Sequence, residues 1–393
     1  MQLGHLPSSA RRALSLVGVS VCVVLGAAAS ASARTWAPVP TPNPAGAPFL
    51  SNVTCASPRM CVAVGDFSNS SGVFTAMAER YDGVSWTLEN IPIPPSAQGR
   101  PSELNDVACP SVSDCLAVGA YTHNGLQISI LLEHFNGTSW SIQSVPVPPH
   151  TFHGAQLEGI TCLSATDCIA VGYYTHTGHV RRPMVEQYNG TRWTVQRVPW
   201  PANGDAELIK VSCASSRMCV AVGQRMPKPG TRSTGIALAE RYNGTRWTID
   251  AVPPGPPSQE NLLHGISCPT PRMCIAVGTE FHFFGYRQII EQFNGRRWSL
   301  VRPGFAQHQS VVLVGVACQS ARGCVAVGSN FLPNVTTVSA VAEDFNGSSW
   351  SPAVNPASAG AQLAGIFCPL SGSCLAAGNI SGPPRQTLVE TGS

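Results

Sequence analysis

Charge is scarce. Asp, Glu, Lys and Arg make up 11% of the 393 residues, and the formal net charge is +3. So weakly charged a chain shows no basic stripe of the kind that tracks a nucleic-acid backbone, so nucleic acid is set aside as a partner. Long apolar runs are as rare. The one present, ALSLVGVSVCVVLGAAA at 13–29, is at the short limit for crossing a bilayer, and no second run of membrane length follows it. Nucleophile elbow, phosphate-binding loop and metalloprotease helix are all missing. No catalytic residue, metal or cofactor is therefore assigned by motif.

What is present begins with a leader. Arg11 and Arg12 form a basic n-region before the apolar run, and ASASA at 29–33 offers small-residue cleavage sites. This predicts a secretory signal peptide over 1–33 and a single mature domain over 34–393. The mature chain would keep 22 basic and 21 acidic residues, close to neutrality.

Cysteine reveals the organisation. After Cys22, fourteen cysteines fall into seven C-x5-C pairs: Cys55/Cys61, Cys109/Cys115, Cys162/Cys168, Cys213/Cys219, Cys268/Cys274, Cys318/Cys324 and Cys368/Cys374. The first member recurs every 50 to 55 residues, and the second opens CVAVG, CLAVG, CIAVG or CLAAG. Six units then carry a second phrase such as EQYNGTRW. In an oxidising compartment, evenly paired cysteines read as local disulfides, one per unit, each tying the turn between the first two strands.

Each unit reads as four strands. One ends at the first cysteine, the second is the continuous apolar run, the third closes on Glu-x-Tyr/Phe, and the fourth starts at Trp and alternates. Asn-Gly between the third and fourth predicts a type I′ hairpin turn. Four strands in seven repeats predict an all-β fold: a seven-bladed β-propeller of four-stranded antiparallel blades. The last repeat, from QLAGIFC to LVETGS, lacks its Trp strand, whereas TWAPVPTP at 35–42 supplies one with no unit of its own. The N-terminal strand is therefore expected to complete the last blade and close the ring.

The layout resembles a kelch-type propeller repeat, in which an apolar strand ending in Gly is followed by an aromatic, a turn, a Trp and a Pro-rich linker. It departs from kelch in having a single Gly, a shorter aromatic-to-Trp turn and the cysteine pair. The units are also similar to secreted actinobacterial repeat proteins of unassigned function. These resemblances imply a fold and no activity.

Residues recurring in every blade read as architecture. Glu79, Glu133, Glu186, Glu240, Glu291, Glu343 and Glu390 are expected to hydrogen-bond the hairpin or the neighbouring blade. Asn136, Asn189, Asn243 and Asn346 fit a glycosylation sequon, but Asp82 and Asn294 hold the same slot without one, so a turn explains all six.

Loop lengths separate the two faces. Cys to Cys is always six positions and Glu to Trp always seven, while Gly to Glu runs from 12 to 17 and Trp to the next Cys from 18 to 23. The variable connections share one face, where binding is expected. Its loops carry the candidate ligand-binding residues Tyr121, Tyr173, Tyr174, Arg181, Arg182, Phe283, Phe284, Tyr286 and Arg287, suited to stacking on sugar rings or anchoring a protein. Loop histidines (His123, His150, His153, His176, His179, His282, His308) read as solvated. Asp106, Glu158, Lys210 and His264 stand out on the first strands, where other units are small or apolar. The reading is a secreted, monomeric recognition module for an extracellular glycan or protein. The alternatives are an extracellular polysaccharide lyase or hydrolase and a passive envelope scaffold.

Overall fold

The computed structural model describes residues 34–393 apart from 124–126, 201–203, 227–234, 254–259, 283–284, 307–309, 332–337, 354–359, 370–372, 383 and 393. Among these residues the only helix is one 3-10 turn at Pro95–Ala97, and no helix is long and apolar enough to cross a membrane.

The chain opens with β1 (Trp36–Val39) and then repeats a four-stranded meander. The first comprises β2 (Ala47–Ser57), β3 (Met60–Ser68), β4 (Phe74–Tyr81) and β5 (Trp86–Glu89). Next come β6 (Ser102–Ser111), β7 (Asp114–His123), β8 (Gln127–Phe135) and β9 (Trp140–Ile142). They are followed by β10 (Thr151–Ser164), β11 (Asp167–His176), β12 (Val180–Tyr188) and β13 (Trp193–Val195). Then come β14 (Asp205–Ser215), β15 (Met218–Met226), β16 (Ile236–Tyr242) and β17 (Trp247–Asp250). The fifth set is β18 (Glu260–Thr270), β19 (Met273–His282), β20 (Gly285–Phe293) and β21 (Trp298–Leu300). The sixth is β22 (Val311–Ser320), β23 (Gly323–Phe331), β24 (Val338–Phe345) and β25 (Trp350–Pro352). Only three strands remain, β26 (Ala361–Phe367), β27 (Cys374–Ile380) and β28 (Gln386–Gly392), and β1 joins them as the fourth, in the order β1-β28-β27-β26. Each set is an antiparallel sheet; β6–β9 and β10–β13 are joined only by one parallel pairing, Gly154 with Ile128.

Repetition has a local cause. In every set the first strand bulges just after a buried leucine, as between Leu104 and Asp106 or between Leu157 and Gly159. The glycine that ends C-x-A-V-G faces that bulge. A Cβ on Gly119 would lie 2.0 Å from the Glu103 carbonyl oxygen, so no other residue fits there.

Disulfides join all seven expected pairs, with Cα atoms 3.9–4.2 Å apart. Each ties the turn between the first two strands, as expected, and its setting adds where the sulfurs lie. The bridges span the ladder itself, with Cys55 opposite Cys61 and Cys213 opposite Cys219 in register. The second cysteines, Cys61, Cys115, Cys168, Cys219, Cys274, Cys324 and Cys374, are all buried. Each packs in a different one of the apolar clusters between sheets. Strand alternation is the reason: Cys61 points the same way as Ala63, toward the sheet behind, while Val62 and Val64 point to the sheet ahead. These cysteines are core residues, closed to any ligand.

The third-to-fourth turn differs from the expected type I′ hairpin. Four residues separate the last pair, Phe135 with Trp140, and only the glycine takes a positive φ, 95° at Gly137. Asn136 instead works through its side chain: Oδ1 accepts the N–H groups of Thr138 and Ser139, both at 3.0 Å, and the Thr138 hydroxyl at 2.8 Å. Asp82 caps Val84 and Ser85 in the same way, at 2.8 and 2.9 Å. An Asx-type cap accepts either residue, which is why the slot tolerates both.

Core lies between neighbouring sheets. Val62 and Val64 of β3 pack on Leu104, Val107, Phe135 and Trp140 of the next set. The last sheet packs back on the first through Ala377 and Val389 against Leu50, Val53 and Met77. The repeated glutamates are sealed in, with Glu79, Glu133, Glu186 and Glu240 at 0% exposure. The expected partner is seen at Glu343, whose carboxylate accepts N–H bonds from Gly304 (3.2 Å) and Phe305 (3.0 Å) in the linker before β22. At Glu79, Glu133, Glu186 and Glu240 both buried carboxyl oxygens lack a hydrogen-bond partner among the described residues, which corrects the expectation for these four.

Candidate functional site

First strands from every sheet surround one axial cavity of about 350 Å3, and Asp106 and Lys210 are the charged residues that line it. They occupy the position just past the bulge, where four other sheets have Gly159, Gly265, Gly315 and Gly365. Asp106 is a hub. Its carboxylate receives Asn52 Nδ2, the Val107 N–H (2.9 Å) and the Ile160 N–H (2.8 Å), and it forms an ion pair with Lys210 Nζ at 3.0 Å. Gly159 makes room for that reach, because a Cβ there would sit 2.9 Å from the Lys210 Cα. Four sheets are thereby tied at the axis. Removing one partner strands a buried charge, since the Asp106 side chain is only 4% exposed. Lys210→Met should lower unfolding free energy by about 3–5 kcal/mol in denaturant titration, with Asp106→Asn restoring part of the loss in the double variant.

A larger polar network lies on the variable-loop side of the bulges. The residue before the buried leucine is Glu103, Gln156 and Glu207 in three consecutive sheets. Gln156 Nε2 donates to Glu103 Oε1 at 3.0 Å and to Glu158 Oε1 at 2.9 Å, and Gln156 Oε1 accepts the Tyr173 hydroxyl at 3.2 Å. Glu207 takes Arg181 Nη1 at 2.7 Å on one oxygen and Gln224 Nε2 at 2.7 Å on the other. The Arg181 guanidinium also lies over the Tyr173 ring, 4.5 Å from its centroid. Burial, followed by the charges of Glu103 and Glu207, pushes the Glu158 carboxyl up to about 7, against the pull of Lys210 and Arg181. Burial likewise raises Glu103, and burial together with the Glu103 charge takes Asp66 to about 6. A carboxyl that burial leaves protonated near neutrality, set among amide and hydroxyl partners, can both donate to and accept from a polyhydroxylated ligand.

The structure divides the sequence-predicted residues. Tyr173 and Tyr174 are 9% and 8% exposed, one committed to Gln156 and the other packed in the core beside Met184 and Trp193. Tyr121 is half-buried, with its ring 5.9 Å from His123. Arg182 lies beneath the exposed Trp200, 4.6 Å from the ring centroid. Tyr286 packs at 5.4 Å from both Phe281 and Phe331, and Arg287 pairs in register with Glu280. Phe283 and Phe284 lie outside the described residues, as does His308. Asp106 and Lys210 share one position, whereas Glu158 and His264 sit on the bulge itself.

Sequence reasoning missed Phe152, which is 54% exposed and 4.5 Å from the His153 ring, itself stacked on His179 at 4.5 Å. With Tyr121, His123, Gln127 and Gln143 it lines a groove of about 590 Å3 at the seam of β8 and β10. The signal was available: PHTFHG lies in a Trp-to-Cys connection, the other variable loop.

No family profile matches the chain, and no curated protein matches it in sequence. Solved structures do. YCF48 bound to a D1 peptide superposes with a TM-score of 0.52 at 13% identity, over 91% of this chain and 94% of that one. The WD40 β-propeller domain of Doa1 gives 0.54 at 10%, over 92% and 97%. A GH74 xyloglucanase from Xanthomonas campestris gives 0.55 at 12%, over 90% of this chain and 55% of that enzyme. Together with the repeated four-stranded sheets, these similarities establish a β-propeller.

Proposed function

We propose that the chain is a kelch-like propeller of seven blades, exported by its leader, secreted, and monomeric. It acts as a recognition module for an extracellular glycan or protein, held on the variable-loop face. The observation that carries this reading is the groove at the β8–β10 seam, where Phe152 is exposed among hydrogen-bonding side chains. Exposed Trp200 over Arg182 adds a second aromatic platform, in the next Trp-to-Cys connection. Among the structural neighbours, one holds a peptide and another is a polysaccharide hydrolase, in keeping with either ligand class.

A second reading has its own support. Glu103 and Glu158 are held by one amide, and burial keeps the Glu158 proton to about 7. Burial raises Glu103 as well, and two carboxyls bridged by one donor, with a proton held near neutrality, suit acid–base cleavage of a polysaccharide. A glycan and cell-envelope binding screen separates the two. With a ligand in hand, Phe152→Ala and Trp200→Ala should each weaken binding about 10-fold without moving the melting temperature. Unchanged binding in both rejects the proposed face. Depolymerisation by wild type that Glu158→Gln abolishes, with binding retained, would install the enzyme reading instead.

A further inference from the structure

The opposite face carries an unexplained charge. Four arginines, Arg59, Arg217, Arg272 and Arg322, occupy one position of the first-to-second-strand turn, and Arg192, Arg246, Arg296 and Arg297 stand just before the repeated Trp. All eight are exposed. Their backbones are pinned: Arg217 N–H donates to Ser215 Oγ at 3.3 Å, and Arg296 and Arg297 both donate to Asn294 Oδ1 at 3.1 Å. Their guanidiniums make no ion pair or hydrogen bond among the described residues.

The fold does not need these charges. The arginine stems lie under the turn glycine of the same blade, with a Cβ on Gly244 falling 2.9 Å from the Arg217 Cγ. Ser113 and Thr166 fill that place under Gly137 and Gly190 with no charge at all. Before the Trp, Ser85, Ser139 and Ser349 serve as well as arginine.

Nor are the charges evenly spread. The acids of these turns, Asp82, Asp114 and Asp167, belong to the first three complete sheets, as do the exposed apolar residues Val84, Val112 and Leu163. The turns of β14–β17, β18–β21 and β22–β25 hold arginine and no acid. Within this arc Arg272, Asn294, Gly295 and Arg296 enclose a hollow of about 280 Å3. The choice of cation is informative too. Lys210 and Lys228 are the only lysines in the sequence, so every charge here is the planar fork that grips an oxyanion with two parallel bonds.

We infer that this arc is a second binding surface, for an anionic polysaccharide bearing repeated sulfate, phosphate or carboxylate groups. One to three guanidiniums per sheet on a rigid ring match a polymer with regularly placed charges. The arc's own turns hold no exposed aromatic and no large exposed apolar residue, and a single exposed aromatic, Trp200, borders it beside Arg246. That is too little for the row of stacked bases a single strand needs or for entering a lipid surface, which favours a glycan.

The test is titration of the full protein with dextran sulfate, polyglucuronate and neutral dextran at about 0.15 M salt. Wild type should bind one or both polyanions, more weakly as salt rises, and ignore neutral dextran. Serine at Arg246, Arg272, Arg296 and Arg297 together should cost roughly 30-fold, about 0.5 kcal/mol per exposed contact, with an unchanged melting curve. Arg59→Ser, on the far side of the ring, should cost less than about twofold. Single Arg272→Glu and Arg297→Glu variants should each lose about fivefold, which keeps the test independent of the quadruple variant's folding. Failure of wild type to prefer either polyanion over neutral dextran overturns the inference, as does undiminished binding by the variants. Equal affinity for phosphatidylglycerol vesicles or oligo-dT, lost in the same variants, overturns the glycan assignment.

Discussion

Deleting residues 34–43 should abolish the single cooperative unfolding transition and drive the protein into higher-order species on size exclusion. This segment is fixed along its whole length. Trp36 is 2% exposed, and β1 pairs with β28 from Trp36 opposite Gly392 to Val39 opposite Val389. At one end Arg34 donates to the Gly392 carbonyl at 2.8 Å and reaches Asp344 at 3.3 Å. At the other, Thr387 N–H donates to Asn43 Oδ1 at 2.9 Å, while the Thr387 hydroxyl donates to the Pro42 carbonyl at 2.8 Å. Its loss uncovers the β28 edge, a template for another chain. It also empties a Trp site worth about 3–5 kcal/mol. Trp350→Ala is the control: an equally sequestered indole, 6% exposed, on a strand that follows its own blade in the chain. That variant should lose only the side-chain contribution and stay monomeric. If the deletion and the control melt alike, the N-terminal strand is an ornament rather than the clasp of the ring.

That clasp was legible because two independent counts agreed, seven C-x5-C pairs against six complete Trp phrases plus one displaced Trp. Strand identity was legible because the runs and alternations are unmixed. The bulge was not. One extra residue after each buried leucine breaks the period of two, so alternation alone misdirects Asp106, two positions past its leucine, and Glu158, one position past. Asp106 is thereby turned to the axis to tie four sheets, while Glu158 joins the network of Gln156. That network spans three sheets and depends on which residues the ring brings side by side. Its one linear trace is the run Glu103, Gln156, Glu207 before successive leucines. Burial of Tyr173 and Tyr174 was equally hidden, since a loop-like stretch reads as exposed until β11 is seen to continue through both. The cysteine spacing named the partners correctly, yet a short interval says nothing of which side of the strand each sulfur takes. The Asn-Gly turn shows a subtler limit. Dipeptide chemistry correctly placed a reversal, and the Asn side chain then decided its size.

The buried glutamates lead to the prediction with the widest reach, a fold that weakens as the medium turns alkaline. Burial pushes Glu79, Glu133, Glu186, Glu240 and Glu291 from the ordinary 4.5 up to about 8. Between those values the native state keeps protons that the unfolded chain releases, so stability falls as pH rises through the window. It is complete only below about 4.5. His264 acts in the opposite direction: burial lowers its imidazole to about 4, so stability is lost as pH falls from 6.5 toward 4. One histidine against five glutamates leaves the alkaline loss dominant. Taken at full size in all five, that loss would exceed the 5–15 kcal/mol that holds a domain together, so a fold that persists at neutral pH realises only part of it. A single pKa unit in each already amounts to about 7 kcal/mol. The melting temperature should therefore drop by about 10 °C between roughly pH 5 and pH 8.5. Glutamine mimics the neutral acid. Glu186→Gln with Glu240→Gln should match wild type at the lower pH, surpass it at the higher, and flatten the slope between. A melting temperature that stays level or climbs with pH would mean these carboxylates are ionised and fully hydrogen-bonded in the native ring, and their conservative replacement would then destabilise at every pH.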